Sequence, residues 1–203
     1  LIDAAPESVL QGKQGNVLLE ASTADLPQLI DVLIKHGAQP NLRDSHGRSG
    51  LWYAADRGAK KAVEALLRNG ADINLADNNG STPLARAVLR AESDTVALLL
   101  TEKADLNQAD SAGNTPLMGA AGAGQKALLM QLMQAGAVVD TRNQFTQTAL
   151  MLAVSAGHVD VVEWLLNNGA DPYRKNQLGQ DSFKLAEALN SEAMLAVLDS
   201  HRR

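Results

Sequence analysis

With 203 residues and a formal charge of -5, the chain lacks the clustered Lys and Arg that a nucleic-acid backbone demands of its partner. Its one basic run, His201, Arg202 and Arg203, is expected to be solvated. No apolar run approaches the roughly 20 residues needed to span a bilayer, and without cysteine there is no disulfide, thiolate nucleophile or zinc finger, so a soluble protein is predicted.

The sequence copies itself every 33 residues. Asn16, Ser49, Thr82, Thr115, Thr148 and Asp181 fall on one position, and each can accept a hydrogen bond from a free backbone N–H in the first turn of a helix. Ala21, Ala54, Ala87, Ala120, Ala153 and Ala186 recur in the same register, as do Leu33, Leu66, Leu99, Leu132, Leu165 and Leu198. Such a period predicts a stacked array in which no copy buries its apolar face alone. Small residues and leucine suit closely stacked helices, which accounts for there being only two each of Trp, Tyr and Phe.

In chain order, residues 1–10 have no counterpart in the period and read as an N-terminal extension or cap. The chain opens on Leu1 without a methionine, which predicts a removed targeting peptide or a truncated piece. The copy 11–43 has Gln14 and Asp25 where later copies have glycine, as expected of a terminal cap. In 44–76 the first helix carries Trp52 and Tyr53, whose rings either pack across the neighbouring first helix or anchor a binding surface. The copy 77–109 shows the unit most plainly: a polar turn at 77–80, Thr82 as cap, then Pro83 at the first helical position. It also places Ala91 and Lys103 at two helix-ending glycine positions, where a left-handed backbone costs about 1 kcal/mol, and this predicts a soft junction. The copy 110–142 contains Gly119, Gly122 and Gly124, yet no strand precedes them and no GKS or GKT follows, so they are not a phosphate loop. In 143–175, Phe145 and Thr146 stand at the turn tip, where the ring either touches the next turn or faces a partner. The copy 176–203 puts Phe183 in the core and closes the array as a C-terminal cap.

TPL at 82–84 and 115–117, AGH at 156–158, NNGAD at 167–171 and RNGADIN at 68–74 give the chain a resemblance to ankyrin-repeat proteins. The resemblance implies an all-α solenoid of β-turn plus helix-turn-helix units, with one repeat domain over 11–203. It also implies a protein-binding module rather than an enzyme, working through a concave groove made of turn tips and first helices, as an inhibitor, immunity or scaffold protein. Carried over from that surface, the candidate contacts are Arg48, Trp52, Tyr53, Asp56, Arg57, Asn79, Ser81, Arg86, Arg90, Asn114, Met118, Phe145, Gln147 and Met151. The arginines point to a protein partner with an acidic surface.

No chemistry stands outside the period. His36, His46, His158 and His201 lack the spacing of helical metal ligands, and the Ser and Asp residues recur at caps and turns, so no catalytic group, metal or cofactor is implied. A small-molecule or metabolite sensor is the alternative reading; it needs a closed apolar pocket, which the repeat does not predict. A monomer is expected. A cysteine-free chain is compatible with the bacterial periplasm, which is favoured slightly over the cytoplasm.

Overall fold

The computed structural model describes residues 16–202, and the extension 1–10, Gln14 and Arg203 lie outside them. Helix α1 covers 16–23. After it come α2 (Pro27–Lys35), α3 (Gly50–Asp56), α4 (Lys60–Arg68), α5 (Pro83–Leu89), α6 (Ser93–Thr101), α7 (Pro116–Gly122), α8 (Lys126–Gln134), α9 (Ala149–Ala156), α10 (Val159–Asn167), α11 (Ser182–Ala188) and α12 (Glu192–Asp199). Among the described residues there is no strand, only an isolated bridge between Arg43 and Ser49.

The caps form where the period puts them. Ser49, Thr82, Thr115, Thr148 and Asp181 each accept the backbone N–H three residues on, at 3.0 to 3.4 Å. Asn16 is the first described residue and already lies in α1. At the other end of the first helices the backbone turns left-handed at Gly58, Gly124 and Gly157, as glycine allows. The chain adopts the same conformation at Asp25, Ala91, Lys103, Thr146 and Asn190, positions where the repeat lacks its glycine.

Two compact units result, one ending at Ala104, the residue after the left-handed Lys103, and the other beginning at Asp105. In the first unit α3 packs on α4 and α5 on α6, while α2, α4 and α6 stack as neighbours and α3 stacks on α5. The second unit repeats this plan: α7 with α8, α9 with α10, α11 with α12, then α7, α9 and α11 in one row and α8, α10 and α12 in the other. Leu51, Leu66, Leu84 and Leu99 fill the first core, and Leu117, Leu132, Leu150 and Leu165 the second, all fully buried or nearly so. Gly50 has a packing reason of its own: a Cβ there would lie 2.7 Å from Ser22 Oγ on α1.

Of the terminal basic residues, Arg202 is exposed as expected and His201 is half-buried, and both also make contacts. His201 Nε2 lies 3.1 Å from Asn167 Oδ1, and Arg202 pairs with Asp199 while its guanidinium lies over the Phe183 ring. Residues that terminate a stack can still fold back onto its last apolar face.

Candidate functional site

Each described repeat turn is built around one acceptor. In the first unit Asp44 Oδ1 takes the backbone N–H of His46 and of Arg48, each at 2.9 Å, and Asp77 does the same for Asn79 and Ser81. In the second unit Asp110, Asn143 and Asn176 repeat the arrangement. Successive turns are also joined, since Asn78 donates its N–H to His46 O and Gln144 donates to Ala112 O. Asn79 therefore sits exposed at a tip, while Ser81, Asn114 and Gln147 are half-buried at the turn bases. Asn114 Oδ1 accepts from Asn143 Nδ2 at 3.0 Å, tying two turns together.

On α3 and α5 of the first unit the candidate residues converge. Arg48 places its guanidinium 5.4 Å from the Trp52 ring centre and 5.1 Å from that of Tyr53, and Arg86 lies 4.7 Å from Trp52. Two carboxylates hold this stack. Asp44 Oδ2 accepts from Arg48 Nε at 3.0 Å and from the Tyr53 hydroxyl at 2.8 Å. Asp56 Oδ1 accepts from both Arg86 Nε and Arg90 Nε, and Arg57 lies within 4.0 Å of the other oxygen. Burial pushes the Asp56 carboxyl upward, but the hydrogen bonds from Arg90 and Arg86 outweigh it and hold it below the usual carboxylate value. At Asp44 burial is likewise outweighed, by the Arg48 backbone N–H, the Tyr53 hydroxyl and the His46 N–H. Tyr53 moves the other way: burial and the bond to Asp44 keep its proton on.

Three of the expected contacts require correction as surface residues. Trp52 is 5% exposed, Met118 1% and Met151 0%. Each lies three residues past its cap, on the flank of the first helix, and in the second unit α7 and α9 close over that flank. Trp52 thus packs in the core beneath Arg48 and Arg86. Arg57 and Arg90 keep side chains 65% and 52% exposed, so the charge lies on the surface. Asp44 was missed in the sequence; its recurrence at Asp77 and Asp110 was the signal that could have found it.

In the second unit Phe145 is 56% exposed at its tip and Leu178, at the same position of the next turn, is 81% exposed. An open cleft of about 500 Å³ also lies beside α1, lined by Leu19, Glu20, Thr23, Asp44 and Tyr53 among others. Its lining mixes charge with apolar surface. Among the described residues no group of His, Asp and Glu is placed to hold a metal ion, and no helix is long and apolar enough to cross a membrane.

The family model for ankyrin repeats, which spans three copies, matches residues 18–110 and again 90–176, well over half of the chain. The chain belongs to the ankyrin-repeat family. Ankyrin repeats generally mediate protein–protein interaction, and the turns and first helices described above are the ankyrin framework in this chain. Comparison with curated proteins gives no match.

Proposed function

We propose that this ankyrin-repeat chain is a non-enzymatic, monomeric protein-binding module, and that the turns and first helices of its first unit receive an acidic surface of the partner. The arginine cluster around α3 and α5, with Arg86 on α5, Arg48 in the turn before α3, and Arg57 and Arg90 capping the ends of α3 and α5, carries the reading. Four arginines, Arg48, Arg57, Arg86 and Arg90, gather around two carboxylates, Asp44 and Asp56, in a chain whose net charge is -5. Two of the guanidiniums are spent on the Trp52 stack, while Arg57 and Arg90 share Asp56 with Arg86 and so retain charge for a partner. Guanidiniums anchored in this way lose little freedom on binding and can meet a carboxylate through two parallel N–H bonds.

Binding of this kind is stoichiometric, which suits an inhibitor, immunity protein or scaffold. The cysteine-free chain suits an oxidising compartment, and we favour the periplasm. The test is affinity capture with the wild-type chain and with the Arg57→Glu/Arg90→Glu double variant. A captured protein that binds the first and not the second supports the reading. Capture unaffected by the double variant, but lost on Glu64→Ala or Gln131→Ala on α4 and α8, overturns it.

A further inference from the structure

The five described turns share one frame, so the differences among them carry information. At the residue that accepts two backbone N–H groups, the first three turns hold Asp44, Asp77 and Asp110, whereas the last two hold Asn143 and Asn176. Four residues on, Arg48 forms an ion pair with Asp44, but Gln147 and Gln180 each accept from the asparagine amide, at 3.3 and 3.2 Å. At the tip, His46, Asn79 and Ala112 give way to Phe145 and Leu178. The two turns that lack a carboxylate at the base are therefore the two that raise a large apolar side chain at the tip.

The combination has a physical sense. Covering a turn with a partner desolvates its base, which is costly for a carboxylate and far less so for an amide already paired within the turn. Phe145 and Leu178 flank a cleft of about 390 Å³ whose remaining lining is Gln147, Asn176 and Gln177, with no formal charge. The two rungs are held together by the Gln177 N–H on Phe145 O, at 3.2 Å. A cleft of this size stands at the lower end of those that hold a small ligand, and suits one large side chain.

We infer that these two turns are a charge-free docking site for an uncharged, extended protein segment, which places one aliphatic or aromatic side chain between Phe145 and Leu178. The inference rests on the reading of the chain as a protein-binding module and adds a contact of opposite character to the arginine cluster of the first unit. The probe is a random peptide library displayed on phage and selected on the full chain. Enriched peptides are expected to carry a large apolar residue without acidic neighbours. They should bind equally at about 0.1 M and 1 M salt, since no charge is screened. Phe145→Ser and Leu178→Ser should each weaken them at least about tenfold, while Arg57→Ala and Arg90→Ala leave them unchanged. Both tip residues are exposed, so the variants should keep the parent circular dichroism and melting temperature. Acidic peptides that depend on Arg57 and Arg90 and ignore Phe145 and Leu178 would overturn this inference and leave the arginine reading standing. Peptides insensitive to Phe145→Ser and Leu178→Ser, or no enrichment, would overturn this inference, while the arginine reading is decided by its own capture test. Self-association of the chain that Leu178→Ser abolishes would assign the site to a second copy and overturn the proposed occupant.

Discussion

Lys103 and Thr146 hold φ values of +63° and +55°, a region that costs a side-chain-bearing residue about 1–2 kcal/mol and is worst for a β-branched one. Replacing Lys103 by glycine removes that strain but frees the unfolded chain, so a net gain of about 0.5–1 kcal/mol is expected in denaturant unfolding. Thr146→Gly should gain at least as much. Amide exchange at 102–105 faster than in α8 would mark the same soft point. Asp25 shares the conformation at φ +54° but should respond with the opposite sign. Its carboxylate accepts the Ala62 N–H at 2.7 Å and so caps α4, and Asp25→Gly should lose about 1 kcal/mol instead. Asp56 sets a pH dependence. Its carboxyl is held below the ordinary value of about 3.9 by Arg90 and Arg86, so the folded state binds fewer protons than the unfolded one. The stability it contributes is full above that value and is lost as pH falls through the lower, folded one. Asp56→Asn should therefore cost stability at pH 7, and its difference from the parent should vanish in acid; a difference that persists at the lowest pH would contradict this. Asp140 is raised by burial, so its charge weighs against folding at neutral pH and that penalty is relieved on acidification.

At the scale of the element, a buried cap should matter more than an exposed one. Thr148 is fully buried and bonds the Met151 N–H, so Thr148→Ala should cost about 1–2 kcal/mol in thermal unfolding, while Thr148→Ser should recover most of it. These caps were legible because a cap is a local device: its residue type, its spacing to the helix and its recurrence every 33 residues all stand in the sequence. The left-handed Ala91, Lys103 and Thr146 were legible for the same reason, since glycine at equivalent positions announces the backbone conformation. Which flank of a first helix meets its neighbour was harder to read. Trp52, Met118 and Met151 share one column with Ala85, and an apolar column is as consistent with a binding face as with a core until the adjacent helix is in place. The partnerships of Asp56 with Arg86 and Arg90 were hidden because they join residues 30 and 34 apart, a separation that only the stacking of two copies brings into contact.

At the scale of the molecule, the two compact units carry different surfaces. The first unit offers guanidiniums anchored on carboxylates, and the second offers paired amides around exposed Phe145 and Leu178. Binding at the arginines should weaken as salt rises through the range where the Debye length falls from about 10 to 3 Å, since Arg57 and Arg90 are exposed. Truncating either should slow association more than it speeds dissociation, because rim charges act mainly on encounter. The most direct measurement is hydrogen–deuterium exchange of the full chain with and without its captured partner. New protection is expected in the turn 44–49 and in α3 and α5, with α4 and α6 unchanged. Protection confined to α4 and α6, leaving the turns and first helices as in the free chain, would contradict the binding face proposed for this protein.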